Sequence, residues 1–268
     1  MAVSSPGELS NGRRQGPHTP RSYDSIGTNY ALRRNADPFI ASLILDALGD
    51  AKRIVNVGSG SGSYEPSDRF VVGVDPSMTM LAQRPETAGP RLLARAEDLP
   101  FEDDSFDASM AVLTVHHWSD RSAGYEELKR VAPKRVVLTY EPDLHGRLWI
   151  VADYVPEIAR LDEQRPGFCV DEVARGVDAT EILPVPVPAN CLDGFIMAYW
   201  RRPEAFFDPE VRKATSGFSL VGEEAVSRGL AKLRSDLDSG MWHKRHGELL
   251  ELDHYDAGLR LLVSDRRA

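Results

Sequence analysis

The stretch IVNVGSGSGSY, residues 54–64, sets four strand-forming residues directly before three glycines at alternate positions, Gly58, Gly60 and Gly62. A turn with so few Cβ atoms either visits left-handed backbone conformations or lets another group lie against bare peptide. The runs around it decide the fold class. FVVGVD (70–75), RLLARA (91–96), SFDASMAVLTV (105–115) and KRVVLTY (134–140) are short, apolar and rich in β-branched residues. Between and before them lie segments with helical spacing, such as PFIASLILDAL (38–48) and AGYEELKRV (123–131). Continuous apolar strands that alternate with helices pair in parallel, with helices covering both faces. EILPVPVP (181–188) and AGLRLLVSD (257–265) add two more strands. The expected fold is therefore α/β, a doubly wound, mostly parallel seven-stranded sheet.

Organisation and compartment follow from what surrounds these runs. Residues 1–22 are rich in Ser, Gly, Pro and Arg and read as a disordered tail. Residues 23–268 read as a single domain, with a cofactor half at 23–150 and a helical insertion at about 189–250 before the last strand. Phe195, Tyr199, Trp200, Phe206, Phe207 and Phe218 crowd into that insertion. Such density makes it the expected wall of an apolar pocket over the sheet. The formal net charge of −9 argues against an extended nucleic-acid surface. Cys169 and Cys191 form neither a C-x-x-C pair nor a metal-ligand set, which suits a reducing, cytoplasmic location. No apolar run reaches the length of a membrane span, and the first residues hold no secretory apolar region.

The glycine spacing narrows the ligand. In the dinucleotide fingerprint G-x-G-x-x-G the third glycine brings helix and strand together around a pyrophosphate. Here that position is Ser63, and the glycine comes one residue early at Gly62. No G-K-[ST] follows, so an ATP phosphate loop is not met either. Asp75 ends the second strand 17 residues after Gly58. A carboxylate there can accept from both hydroxyls of a ribose, although Asp75-Pro76 alone reads as a strand-end turn. With AEDLPF (96–101) and SFDASMAVLTVHHW (105–118) following in order, residues 23–145 resemble the class I S-adenosylmethionine-dependent methyltransferases. The resemblance is to their ubiquinone/menaquinone-type, small-molecule branch, which has a Rossmann-like fold.

That resemblance implies S-adenosylmethionine as cofactor. Gly58, Ser59 and Gly60 would lie against its methionine part, and Asp75 would take the ribose hydroxyls. Pro76 and Met80 would pack on adenine, Ala96 and Glu97 would border the adenine edge, and Leu113 would sit beside the sulfonium. Tyr23 and Tyr30, with Arg33 or Arg34, would cover the cofactor carboxylate. Two positions depart from the family pattern. Asn56 stands where an acidic residue is usual, so it accepts from an ammonium without adding charge. Arg95 stands where an adenine-binding Asp is common.

Methyl transfer from a sulfonium needs an aligned acceptor in a dry pocket, and a base only where the acceptor must lose a proton. His116 and His117, expected at the end of the fourth strand, and Glu141, at the end of the fifth, are the candidate catalytic groups. Each also has a plainer reading, as packing or capping histidines and as a solvated loop acid. Trp149, Tyr199, Trp200 and Arg201 are the candidate acceptor contacts. Arg33-Arg34 and Arg201-Arg202 would suit a prenyl diphosphate if they turned inward. His243-x-x-His246 lacks a third ligand at clear spacing and reads as a surface helix, with no metal site. The expected function is methyl transfer to oxygen or carbon of a small, partly apolar acceptor. Its rivals are a non-methylating protein of the same fold, a nucleic-acid methyltransferase and an NAD oxidoreductase.

Overall fold

The structure is a computed structural model that describes residues 34–266. Tyr23, Tyr30 and Arg33 lie outside the described residues.

Helix α1 (Pro38–Leu48) begins where its sequence supplies both a cap and a first-turn proline. Asp37 Oδ1 accepts from the backbone N–H of Phe39 (3.0 Å) and Ile40 (3.3 Å). Gly49, at φ 59°, ends the helix by donating back to Asp46 and Leu45. Ile40, Ile44 and Leu48, four residues apart, form its buried face against β5 (Lys134–Tyr140).

The remaining parallel strands are β1 (Arg53–Val57), β2 (Phe70–Asp75), β3 (Arg91–Leu93) and β4 (Ala108–Val112). Short α2 (Met78–Leu81) follows β2, and α3 (Arg121–Val131) links β4 to β5. After β5 come α4 (Pro142–Gly146), a π-helical turn at Ile150–Tyr154, α5 (Glu157–Glu163) and α6 (Val170–Gly176). Next are β6 (Glu181–Pro184) and β7 (Val187–Pro188), and the chain closes with β8 (His254–Tyr255) and β9 (Leu259–Asp265). The seven-stranded sheet runs β3-β2-β1-β4-β5-β9-β6. β9 is antiparallel to both β5 and β6, and every other pairing is parallel. Strand order reverses direction between β1 and β4, and ligands of such sheets bind beside the carboxyl ends of strands at that switch point.

Three expectations change. Only Glu181–Pro184 of the run EILPVPVP joins the main sheet, while β7 pairs with β8 in a separate ribbon. Pro184, Pro186 and Pro188 have no N–H to continue a ladder. RLLARA contributes only Arg91–Leu93 as strand. β4 stops at Val112 because Leu113 takes φ 51°, so His116 and His117 sit on the following 3₁₀ turn (Val115–His117) rather than on the strand.

Between β7 and β8 the chain forms the 3₁₀ turns Ile196–Tyr199 and Pro203–Phe207, then α7 (Pro209–Ala214) and α8 (Ser216–Leu220). Helices α9 (Glu223–Asp238) and α10 (Met241–His246) and a last 3₁₀ turn complete the segment. Its aromatic rings build a core of their own. Trp149 stands edge-on to Phe206 (5.7 Å) and to Trp242 (5.3 Å), a geometry the ring quadrupoles favour. Trp149 Nε1 donates to the Trp200 carbonyl (2.7 Å), and Trp200 Nε1 donates to the Val187 carbonyl (3.1 Å). Both indoles are thus satisfied inside the core.

The glycine turn is held from three sides. The Gly58 and Ser59 amides both donate to the Val74 carbonyl (2.8 and 2.9 Å). Gly60 donates to Asp75 Oδ2 (2.9 Å). Gly58 itself has φ 71°, and a Cβ there would lie 2.0 Å from Thr114 Oγ1. Gly58→Ala therefore combines a left-handed alanine with a collision against the turn after β4. Urea unfolding should show a loss of about 2–4 kcal/mol with little change in slope. A loss well under 1 kcal/mol would contradict this packing.

Candidate active site

Two cavities open at the carboxyl ends of β1, β2, β4 and β5. The first, of about 640 Å³, is lined by Asn56, Gly58, Ser59, Gly60, Ser61, Ser63 and Tyr64 from β1 and its turn. Asp75 and Met80 add the β2 side, Val112, Leu113 and Thr114 the β4 side, and Arg34 the rim. Asp75 is 9% exposed, and its Oδ1 accepts from the Ser77 amide (2.8 Å) while Oδ2 takes Gly60. The carboxylate is thereby fixed at the strand end, facing the cavity that the glycines floor.

The polar atoms of this cavity suit a nucleoside-and-amino-acid ligand. Asn56 Nδ2 donates to Glu65 (3.0 Å), which in turn is ion-paired with Arg84. The Asn56 Oδ1 and Ser59 Oγ atoms are buried with no hydrogen-bond partner among the described residues. Buried polar atoms are nearly always paired, so two orphans facing one cleft mark a place for ligand donors. Beside them, Gly60 leaves room against Met80: a Cβ there would already stand 3.2 Å from the Met80 methyl. These residues fit S-adenosylmethionine, with Asn56 and Ser59 toward its amino-acid end, Asp75 toward the ribose and Met80 toward the base.

Of the cofactor residues expected from sequence, Asn56, Gly58, Ser59, Gly60, Asp75, Met80 and Leu113 line this cavity. Pro76, Ala96 and Glu97 do not. Pro76 is exposed and Ala96 is packed in the core. Glu97 Oε1 instead accepts from the Ser119 amide and hydroxyl (2.8 and 2.7 Å) and from the Asp120 amide (3.1 Å). Burial pushes its carboxyl up, but these donors outweigh it and hold it below the usual range. Its role is to anchor the loop before α3.

The second cavity, of about 700 Å³, lies over the ends of β4 and β5. Its apolar wall comes from Ile158 and Leu161 of α5, Phe195, Ile196 and Met197, and Ala214 and Leu220. Leu113 and Arg34 line both cavities. Arg34 Nε pairs with Asp193 Oδ1 (2.6 Å), whose other oxygen accepts from the Tyr64 hydroxyl (3.0 Å). Burial first, and then the Asp193 charge, push the Tyr64 phenol far above its ordinary pKa, so it remains a donor. This triad ties the chain before α1 to the turn after β1 and to the aromatic segment.

The polar floor of the second cavity was not foreseen from the sequence. His116 is there, but His117 and Glu141 are not. Glu141 precedes α4 and accepts from the Val170 amide; burial, chiefly, holds its carboxyl above the usual range. The groups that converge are Tyr140, His145, Asp162 and Arg165. Asp162 Oδ1 accepts from the Tyr140 hydroxyl (2.6 Å) and is ion-paired with Arg165, and Oδ2 contacts His145 Nδ1 (2.8 Å). Arg165 also donates to the Tyr140 oxygen (3.2 Å). Burial pushes the Asp162 carboxyl up, but the hydrogen bonds from His145 and Tyr140 and the nearby Arg165 charge hold it below the usual range. His116 stands edge-on to Tyr140, with centroids 5.0 Å apart. His145 was findable from its position, one helical turn after the end of β5. Nothing in EIARLDEQRPG sets Asp162 apart from its neighbours.

The expected acceptor residues Trp149, Tyr199, Trp200 and Arg201 do not line this cavity. The two indoles are spent on each other and on β7, and Tyr199 packs on Phe206 (5.5 Å). Arg201 donates to the Leu252 carbonyl (2.9 Å), and Arg202 to those of Cys191 (2.9 Å) and Ala198 (2.7 Å). A diphosphate acceptor thus loses Arg201 and Arg202, while Arg34 of the other pair lines the cavity.

Comparison with known proteins agrees with the first cavity's design. Residues 55–138 match a family model described as a methyltransferase domain. A demethylmenaquinone methyltransferase of Roseiflexus castenholzii is 34% identical over 41% of this chain and 50% of its own length. A tRNA (carboxymethyluridine(34)-5-O)-methyltransferase of Arabidopsis thaliana is 30% identical over 41% of this chain and 29% of its own. The chain thus spans half or less of these two relatives. A solved Anabaena variabilis structure, described as a candidate methyltransferase from an antibiotic biosynthesis pathway, superposes with a TM-score of 0.78 at 27% identity. It covers 87% of this chain and 98% of that one. With its glycine turn, its strand-end aspartate and its sheet order, the chain carries a methyltransferase domain of the class I S-adenosylmethionine-dependent family.

Proposed function

We propose that the protein transfers a methyl group from S-adenosylmethionine to a small, partly apolar molecule held in the second cavity. The observation that carries this reading is the shared border: Leu113 and Arg34 face both cavities. When bound, the cofactor supplies a methyl group on a sulfonium, a carbon that a lone pair attacks in one step with the sulfur as leaving group. The chain's own contribution is then placement and exclusion of water. Asp75, Asn56 and the glycine turn would hold the donor, while Ile158, Phe195, Met197 and Leu220 would bury the acceptor beside it.

A single domain is proposed, with the cofactor half up to residue 150 and the acceptor wall drawn from α5 and the 189–250 segment. A small acceptor is favoured over tRNA, although several relatives are named for tRNA, because the second cavity is walled largely by apolar side chains and the chain is acidic, at −9. The Anabaena protein's description favours a specialised metabolite as acceptor. A cytoplasmic setting is proposed from the unpaired Cys169 and Cys191. Among the described residues no helix is long and apolar enough to cross a membrane.

Release of S-adenosylhomocysteine during incubation with a panel of phenols, quinols and unmodified tRNA tests the assignment. Turnover confined to tRNA would overturn the small-molecule reading, and lack of cofactor binding would overturn the whole. Asp75→Ala removes the carboxylate and the clamp on Gly60. S-adenosylhomocysteine should bind it about 10–100-fold more weakly in calorimetric titration, with a cooperative melt retained. Unchanged affinity would remove Asp75 from the ribose site. Leu220→Trp fills the second cavity from α8. It should lower turnover of any accepted panel member about tenfold or more and leave cofactor affinity unchanged. A parallel loss of cofactor affinity would show that the two cavities are not separate sites.

A further inference from the structure

His145 and Asp162 are 17 residues apart and meet in the wall of the acceptor cavity with the geometry of a base and its orienting partner. His145 is buried, and its Nδ1 faces Asp162 Oδ2 at 2.8 Å. A carboxylate accepts, so Nδ1 carries a proton, and the neutral tautomer of this ring has its lone pair on Nε2. Nε2 makes no hydrogen bond among the described residues. Asp162 cannot serve as the base itself, because Tyr140, Arg165 and His145 all direct donors at its two oxygens. The Tyr140 proton is committed to Asp162 in the same cluster.

The charges around this pair choose the acceptor class. Arg34 and Arg165 line the cavity with His116, and the lining carboxylate, Asp162, is already saturated. Arg34 is matched by Asp193 outside the floor. A protonated amine entering here would meet cations and find no carboxylate among the described lining residues to hold it. A neutral hydroxyl meets a lone pair, and the oxyanion it becomes meets guanidinium and imidazolium charge.

Resting on the methyltransferase reading above, we infer that the cavity takes phenols or enols, and that His145 Nε2 removes the hydroxyl proton with Asp162 as its positioning residue. The O–H bond breaks with its electron pair left on oxygen, and the proton goes to Nε2. That oxygen pair forms the new bond to the methyl carbon of S-adenosylmethionine, and the carbon–sulfur pair stays on sulfur. The imidazolium returns its proton to water once the ether has left.

The experiment uses 4-nitrophenol as probe and S-adenosylhomocysteine as the non-reacting cofactor product. The probe's anion absorbs in the visible range and its neutral form does not. At a pH where the free probe is mostly neutral, wild-type protein with S-adenosylhomocysteine should bind it largely as the anion. His145→Gln keeps a donor for Asp162 but has no basic nitrogen. It should bind the probe with several-fold less anion per bound molecule, and Asp162→Asn should fall between. Calorimetry of S-adenosylhomocysteine on each variant reports folding and the first cavity separately. Nitrogen-15 spectra of labelled histidine in the wild type give an independent check, with His145 expected as the Nδ1–H tautomer and altered by the probe. Equal anion signal in His145→Gln, an Nε2–H tautomer, or failure of the probe to bind protein that holds S-adenosylhomocysteine would each overturn the inference. Failure of S-adenosylhomocysteine to bind wild-type protein would instead strike the methyltransferase reading beneath it.

Discussion

The Val74 carbonyl accepts from two successive amides, Gly58 and Ser59, and the next residue of β2, Asp75, accepts from Gly60. These three bonds lock the turn after β1 onto the end of β2. On the other flank Thr114 lies so close that only a residue without Cβ fits at Gly58. The ends of β1, β2 and β4 therefore have one relative placement, set by backbone groups inside a buried parallel sheet. Leu113 is a consequence of that placement. Pressed between Thr114 and the end of β4, it adopts φ 51°, a conformation that costs an ordinary residue about 1–2 kcal/mol. Its amide is still satisfied by the Leu138 carbonyl (2.8 Å). The strained residue is one of the two that line both cavities.

The second cavity depends on a different kind of constraint. Burying Asp162 among Ile158, Leu161 and Phe195 would be costly for a lone carboxylate, which would take up a proton instead. Three donors from β5, α4 and the loop after α5 reverse that balance and keep it ionised. A carboxyl held below its unfolded pKa contributes stability above the ordinary carboxylate range and loses it as pH falls through the folded value. Arg34, Asp193 and Tyr64 repeat the device at the cavity rim, joining positions 159 residues apart. Both clusters fix elements whose sequences carry little intrinsic instruction for their mutual placement.

That contrast explains what could be read from the chain in advance. The sheet was legible because IVNV, FVVGVD and KRVVLTY are continuous β-branched runs, and because a parallel, doubly covered sheet is what such runs form. The cofactor cavity was legible because its parts, Gly58 to Gly60, Asp75 and Leu113, each stand at a strand end. Pro76, Ala96 and Glu97 are not among the residues that line it, since proximity in sequence to a strand end does not fix the direction of a side chain. The acceptor side was harder. Trp149, Tyr199 and Trp200 are conspicuous residues there, and from sequence they read as the pocket wall. Large rings bury the most area, so they form the core of the segment and leave smaller residues to line the space. Nothing in the sequence marks Asp162 and Arg165, which gain their setting only when the fold brings Tyr140 and His145 to them.

The two halves of the site are therefore built by different means, and this bears on what each can change. The donor side is made of backbone amides, glycines and strand ends, and a side chain added at Gly58, Gly60 or Gly62 meets Thr114, Met80 or the Glu65–Arg84 pair. The acceptor side is made of side chains from α4, α5, α8 and the turn at 195–197, with Leu113 and Tyr140 at the strand ends completing the cavity wall. Ile158, Met197 and Leu220 can vary in size without disturbing the Gly58–Val74–Asp75 clamp. The shape of the acceptor is thus free to differ between proteins of this fold while the donor stays the same. What the Asp162 cluster adds is chemical character, an oriented imidazole in a largely apolar chamber that also holds His116 and two ion-paired arginines. Such a chamber favours acceptors that arrive neutral and react as anions.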